Sequence, residues 1–279
     1  MSILVDADWL VGHLGEVVVV DVRWSAAGGT TAATRAFEAG HIPGAVFLDV
    51  DRDLAGDPAA GPGRHPLPSP EAFARTIGSA GIVDDILVVA YDDVGGSVAA
   101  RLWWMLDGTG YRVALLDGGL AGWLGPLETG PGRPRSPVAV ALRSWPAERV
   151  VDANAVAGAL RAGGTILDAR APERYRGDVE PLDPVAGHIP GARNAPWSGN
   201  IGDDGRFLPP EALRARFAEY NADDRTIAQC GSGVTGCHNL FAMRLAGIGD
   251  ARLYTGSWSD WVRDPDRPVA TGDEQGTLP

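Results

Sequence analysis

Cys230-Gly231-Ser232-Gly233-Val234-Thr235 is the stretch of this sequence best suited to chemistry. It follows Thr226-Ile227-Ala228-Gln229, an apolar run that predicts a short buried strand. It precedes Gly236 to Leu245, where Leu240, Phe241 and Leu245 recur at helical spacing. A cysteine between the end of a strand and the start of a helix meets inward-pointing backbone N–H groups and the positive end of the helix dipole. Both favour a thiolate, the nucleophilic form of the side chain. The two glycines let the loop curl with no Cβ to keep those amides from converging on the sulfur. The pattern therefore nominates Cys230 as a covalent nucleophile. The plainer alternative is a buried structural cysteine beside a Gly-rich turn.

Composition narrows the chemistry further. All 24 basic residues are arginine, and the absence of lysine excludes Schiff-base and pyridoxal-phosphate chemistry and any P-loop. A formal net charge of −12 argues against nucleic acid or an anionic membrane as partner. An anionic small molecule stays compatible with it, because one local arginine and backbone amides can override the mean field. No apolar run is long enough to span a membrane. The N-terminus, Met1-Ser2-Ile3-Leu4-Val5-Asp6, lacks the basic and apolar regions of a signal peptide. With only Cys230 and Cys237, no disulfide framework can form, and a cytoplasmic protein is expected.

The elements that must hold the cysteine loop come in two matching sets. Val17 to Arg23 and Thr165 to Arg170 are both apolar strands ending in Asp-x-Arg. Gly40-His41-Ile42-Pro43-Gly44-Ala45 recurs letter for letter as Gly187-His188-Ile189-Pro190-Gly191-Ala192, and Gly118 to Trp123 answers Gly256 to Trp261. Three matches in the same order imply duplicated domains. Short strands at 86–91, 113–116, 165–168, 226–229 and 252–254 alternate with helices beginning near Ser69, Gly95, Asp152, Pro210 and Gly236. The expected fold class is α/β: two tandem domains, each a mainly parallel sheet flanked by helices on both faces. The domains are expected at 1–124 and 147–279. Residues 125–146, with five prolines and three glycines, read as an extended linker. From about Asp264 onward a polar tail is expected. Ligands of such sheets bind at the carboxyl ends of strands, where Cys230 stands. Aligning the halves puts Asp92 at the place of Cys230, Ser97 at that of Thr235 and Ala100 at that of His238, so only the second half can do thiol chemistry.

A tandem repeat with Gly-His-Ile-Pro-Gly-Ala in each half and Cys-Gly-Ser-Gly-Val-Thr in the second resembles a two-domain rhodanese-type sulfurtransferase over nearly the whole chain. The resemblance implies a ping-pong reaction without metal or organic cofactor. Cys230 would take a sulfane sulfur from a small anionic donor as a persulfide. It would then pass the sulfur to a thiophilic acceptor: cyanide, a thiol, or a protein thiol such as thioredoxin. The backbone amides of Gly231, Gly233, Val234 and Thr235 would cradle the sulfur, and Arg174 matches the donor-binding arginine. Arginine's planar fork suits a carboxylate or sulfonate independently of the resemblance. The structural alternative for Arg174 is an ion pair with Glu173 or Glu180. Trp24, Tyr91 and Trp197 resemble the aromatic wall of the pocket, although each taken alone would read as core.

The same resemblance bears on the donor. Members favouring thiosulfate carry two basic residues just after the cysteine; here Gly231 and Ser232 stand there, as in 3-mercaptopyruvate sulfurtransferases. Ser232 would hydrogen-bond the departing enolate or help a proton reach it. Asp183 replaces the second arginine expected nine positions after Arg174, and it would repel the donor unless Arg176 or Arg193 substitutes. The reading favours 3-mercaptopyruvate, with thiosulfate as the alternative. His41 and His188 occur in both halves, which favours turn capping, although His41 is a weak candidate to assist the serine. Cys237, about two helical turns after Cys230, is expected to pack in the core. A phosphatase loop would need arginine where Gly236 stands. A non-catalytic binding module, the remaining class, would be expected to lose the cysteine.

Overall fold

The computed structural model describes residues 2–25, 28–132 and 135–278. Arg133 and Pro134, at the centre of the expected linker, lie outside the described residues. The chain forms two compact units that do not follow the sequence strictly. The first comprises Met1–Gly56, Leu67–Pro146 and Gly202–Phe207; the second comprises Asp57–Pro66, Ala147–Ile201 and Leu208–Pro279.

The first unit contains β1 (Leu4–Val5), α1 (Ala7–His13), β2 (Val17–Asp21), α2 (Gly29–Ala39), β3 (Val46–Phe47), α3 (Val50–Asp53), α4 (Pro70–Ser79), β4 (Leu87–Tyr91), α5 (Ala99–Gly108) and β5 (Val113–Leu116). The second contains β6 (Val150–Val151), α6 (Ala153–Arg161), β7 (Ile166–Asp168), α7 (Pro172–Arg176), β8 (Arg193–Asn194), α8 (Pro210–Glu219), β9 (Ile227–Gln229), α9 (Gly236–Leu245), β10 (Arg252–Tyr254) and α10 (Ser257–Trp261). Each builds a five-stranded sheet, in the orders β1-β5-β4-β2-β3 and β6-β10-β9-β7-β8. The two orders correspond strand for strand, and every pairing is parallel. Strands covered on both faces need apolar side chains on both, and every residue of β2, β4, β7 and β9 is buried.

The repeated motifs prove to be joints. In each unit the arginine of Asp-x-Arg folds back onto its aspartate and reaches across to hold the first carbonyl of the Gly-His-Ile-Pro turn. Arg23 pairs with Asp21 at 2.8 Å and donates to Gly40 O at 2.8 Å; Arg170 pairs with Asp168 at 2.7 Å and donates to Gly187 O at 2.8 Å. The histidines are structural in both copies. His41 Nδ1 lies 2.9 Å from Phe37 O and its ring stacks on Phe37; His188 Nδ1 lies 2.8 Å from Tyr175 O and its ring stacks on Tyr175. The expected polar tail is a correction: Ala270 bridges His188, Gln275 O accepts from Gly191 N–H, and Leu278 packs against the second core.

The register of the sheets sets Tyr91 opposite Asp21 and Gln229 opposite Asp168, so Asp92 and Cys230 occupy equivalent places. At Asp92 the loop closes on a carboxylate of its own. The buried side chain accepts from the N–H groups of Val94, Gly96, Val98 and Ala99 at 2.8–2.9 Å. Gly95 and Gly96, both at positive φ, let the chain wrap the carboxylate. α5 therefore starts at Ala99, four residues after the Gly95 expected from the sequence. Burial pushes the Asp92 carboxyl above its ordinary value, while the four amides pull it back. Asparagine offers one acceptor oxygen and turns an NH₂ toward donors. Asp92→Asn should therefore destabilise the first unit by about 2–4 kcal/mol, lowering its Tm by about 5–15 °C. A Tm within about 1 °C of the parent, read by calorimetry, would contradict this.

Candidate active site

Cys230 is held where β9 hands over to α9. Its N–H donates to Ser257 Oγ at 3.1 Å, and its carbonyl accepts from Trp258 N–H at 3.0 Å. Gly231 O accepts from Ser259 N–H at 2.9 Å, so the first turn of α10 fixes the loop from beneath. The loop then curls until Gly233 N–H donates to Cys230 Sγ at 3.1 Å. Gly233 has φ +77°, and a Cβ there would sit 2.5 Å from Thr255 O, so no larger residue fits. Val234 is buried, and Thr235 is the residue from which α9 starts. Cys237, a buried free thiol like Cys230, donates to Gly233 O at 3.4 Å and props the turn from within the helix.

The segment Asp57–Pro66 completes the site although it comes from the first half of the chain. Arg263 fastens it by donating to the carbonyls of Gly61, Pro58 and Gly63 at 2.7, 2.9 and 2.8 Å. Arg64 N–H donates to Ser259 Oγ at 3.0 Å. Gly63 has φ +73°, and a Cβ on it would lie 2.3 Å from Gly256 O; the close approach demands glycine. The docked segment delivers two side chains. His65 Nδ1 lies 2.7 Å from Ser232 Oγ, both residues being buried, and Arg64 Nη1 pairs with Asp183 Oδ1.

Around these lies a cluster of guanidiniums and carboxylates. Arg170, pinned by Asp168, also reaches Glu180 at 3.4 Å and lies over the Trp258 ring, 4.8 Å from its centroid. Burial alone would draw its pKa down, but Asp168, Glu180 and Cys230 more than offset this and hold it above its ordinary value. Arg174, on the short helix α7, donates to Glu180 at 2.6 and 3.2 Å and to Asp183 at 3.4 Å. Its partners are thus Glu180, as the structural alternative had it, and the Asp183 that the sequence set against the donor.

The second unit brings Cys230, Ser232 and Arg174 into one neighbourhood: a Cβ on Gly231 would lie 3.4 Å from both Arg174 Nη atoms. The histidine on Ser232 is His65; His41 Nδ1 is engaged by Phe37 O in the first unit. Tyr91 is a core residue of the first unit, its hydroxyl accepting from Ile42 N–H at 3.1 Å. Trp24, also in that unit, donates from Nε1 to Asp51 at 3.0 Å. Trp197 lies edge-on to His238 in the second unit, centroids 5.4 Å apart. Neither Arg176 nor Arg193 joins the cluster: Arg176 pairs with Asp178 and Arg193 donates to Tyr220 O. The sequence reading missed Arg64 and His65. Their only signal was a long Gly/Pro-rich loop carrying an adjacent Arg-His pair, a place where function concentrates.

Among the described residues no helix is long and apolar enough to cross a membrane. The rhodanese-like domain matches residues 6–125 and again 152–264. A Pseudomonas aeruginosa protein named as a probable 3-mercaptopyruvate sulfurtransferase is 47% identical over 285 residues, covering 97% of this chain and 98% of that relative. SseB of Mycobacterium tuberculosis, whose name carries thiosulfate as donor, is 42% identical over 97% of this chain and 98% of its own. The crystal structure of Escherichia coli SseA, described as a 3-mercaptopyruvate sulfotransferase, aligns with 93% of this chain and 100% of its own at a TM-score of 0.79 and 33% identity. Two rhodanese-like domains, near-full-length relatives that are sulfurtransferases by name and one intact cysteine loop in the second domain agree: this chain belongs to the two-domain rhodanese family of sulfurtransferases.

Proposed function

We propose that the protein transfers the sulfur of 3-mercaptopyruvate to a thiophilic acceptor through a persulfide on Cys230. In the first half-reaction the Cys230 thiolate attacks the mercapto sulfur. The carbon–sulfur bond breaks, its electron pair leaves as the pyruvate enolate, and the enolate takes up a proton. In the second, cyanide or a thiol attacks the outer sulfur and returns the thiolate. The Gly233 N–H supports charge on the sulfur. Gly231, Val234 and Thr235 shape the loop, and Arg174 binds the donor's carboxylate. A protein thiol such as thioredoxin is an acceptor of the required chemistry.

The observation that carries the choice of donor is the hydrogen bond between His65 and Ser232, within the cysteine loop. An enolate needs a proton, whereas the sulfite released from thiosulfate is stable without one. A serine backed by histidine is a proton relay that only the first donor requires. The test is steady-state transfer to cyanide from both donors side by side, for the parent and for Ser232→Ala. A higher kcat/KM for 3-mercaptopyruvate is expected, with Ser232→Ala lowering that value by about 10²-fold and sparing thiosulfate. Preference for thiosulfate, or an equal loss on both donors, would contradict the donor reading.

A further inference from the structure

Two parts of the site that lie far apart in sequence, the cysteine loop and the segment Asp57–Pro66, rest on the same short helix. The first turn of α10 takes the loop: Cys230 N–H donates to Ser257 Oγ, and the N–H groups of Trp258 and Ser259 donate to the Cys230 and Gly231 carbonyls at 3.0 and 2.9 Å. The rest of α10 and the turn after it take the segment. Ser259 Oγ accepts from Arg64 N–H at 3.0 Å, and Arg263 donates to the carbonyls of Pro58, Gly61 and Gly63 at 2.7–2.9 Å. The segment has no helix or strand of its own, and its internal bonds only close a turn on Asp57. Its course is therefore set by its anchors, and Arg263 grips it by the backbone.

The duplicate of this joint separates what the fold needs from what the site needs. Matching Gly118–Trp123 to Gly256–Trp261 sets Gly119 at Ser257, Ala121 at Ser259 and, two residues on, Gly125 at Arg263. The backbone part is common to both copies: Leu120 N–H donates to Asp92 O at 2.8 Å, as Trp258 N–H does to Cys230 O. The side-chain part belongs to the copy with the cysteine. Gly119 and Ser257 share φ +54°, a left-handed conformation open to glycine and strained for serine. The second unit keeps that strain where the serine hydroxyl takes the nucleophile's N–H. Ser257, Ser259 and Arg263 thus serve the cysteine loop and the docked segment, since a parallel sheet forms without them in the first unit.

We propose that Arg263 is a positioning residue for the proton relay: by fixing Asp57–Pro66 on α10 it sets His65 Nδ1 within hydrogen-bond reach of Ser232 Oγ, here 2.7 Å. The proposal rests on the sulfurtransferase reading and on its relay. There Ser232 gives its proton to the pyruvate enolate and regains one from His65, which draws it from water. A displacement of about 1 Å in such a relay costs turnover although every reacting group is still present.

The test is a double-mutant cycle between Arg263→Gln and Ser232→Ala, read as the single-turnover rate of pyruvate release at saturating 3-mercaptopyruvate, with thermal melts of each variant. Arg263→Gln is expected to lower that rate by about 10- to 50-fold, less than Ser232→Ala does, because the relay is misplaced and not removed. In the Ser232→Ala background it should lower the rate by less than about threefold. With saturating thiosulfate, whose sulfite needs no proton, Arg263→Gln should stay within about threefold of the parent. Arg263→Lys, which keeps the charge but reaches fewer carbonyls, should recover part of the loss. Ser259→Ala, which gives the second unit the residue of the first, should show the same pattern more weakly, and it decides the question should Arg263→Gln fail to fold. A merely structural arginine would lower the rate by one factor in both backgrounds and on both donors, as fewer molecules are folded. Such equal losses, or an unchanged rate in Arg263→Gln, overturn the proposal. A Ser232→Ala as fast as the parent, or a parent that turns over neither donor, would instead defeat the relay or the sulfurtransferase reading before Arg263 is touched.

Discussion

Cys230→Ser is expected to abolish sulfur transfer from 3-mercaptopyruvate and from thiosulfate alike, a loss on the order of 10⁴-fold or more, down to the blank rate. The reason is chemical. A serine hydroxyl at neutral pH is a poor nucleophile, and its oxygen has no counterpart of a persulfide from which an acceptor can draw sulfur. The substitution spares the scaffold, since the Cys230 N–H and C=O bonds to Ser257 and Trp258 are made by the backbone. An unchanged Tm beside the lost turnover separates chemistry from folding. Retained turnover in the variant would place the sulfur elsewhere, and the other cysteine is an unsuitable carrier: Cys237 is buried within α9 with its thiol on Gly233 O.

The second large effect falls on Arg174. Arg174→Gln should lower kcat/KM for 3-mercaptopyruvate by about 10²- to 10⁴-fold, chiefly through KM, as two charge-assisted bonds of about 1.5–3 kcal/mol each are lost. It also strips Glu180 and Asp183 of a shared partner. Glu180 keeps Arg170 and Asp183 keeps Arg64, so the fold should survive with a Tm only a few degrees lower, about what 1–2 kcal/mol costs in a unit of this size. A kcat/KM within about threefold of the parent would mean that the Arg174–Glu180 pair is structural and that the donor is held without it.

These two residues were legible in the sequence because their signals are local. The cysteine loop lies between a buried apolar run and a helical repeat, and Arg174 lies six residues after the Asp168 that ends β7. The duplicated Asp-x-Arg and Gly-His-Ile-Pro-Gly-Ala motifs likewise carried the topology, because each is half of a joint that the parallel sheet makes twice. The elements left unread are those whose own residues do not decide them. β1, β3, β6 and β8 are two residues long and exist as strands because a longer neighbour pairs with them. α2, Gly29–Ala39, is rich in threonine and alanine and has only Ala33 and Phe37 buried, so its amphipathic stripe is faint.

Arg64 and His65 show the deeper limit. Nothing in their neighbourhood announces that they fold with the other half of the chain. The contacts that dock their segment, to Ser259, Arg263, Asp183 and Ser232, span sequence separations from 119 to 205 residues. Asp183 misled for the same reason: judged alone it is a repulsive charge, and only the fold supplies its cation. His41 was a candidate to assist Ser232 only through the family resemblance, which places such a histidine in the first domain. The repeat is what assigns His41 to the scaffold, since His188 makes the same stacked and bonded arrangement.

The most direct test of the central claim is the mass of the intact protein after incubation with 3-mercaptopyruvate and no acceptor, followed by addition of cyanide. A covalent sulfur carrier at Cys230 gains about 32 Da, one sulfur atom, loses it on cyanide, and gains nothing as Cys230→Ser. Pyruvate released without any gain in mass, or a gain that persists in Cys230→Ser, would contradict a persulfide on Cys230.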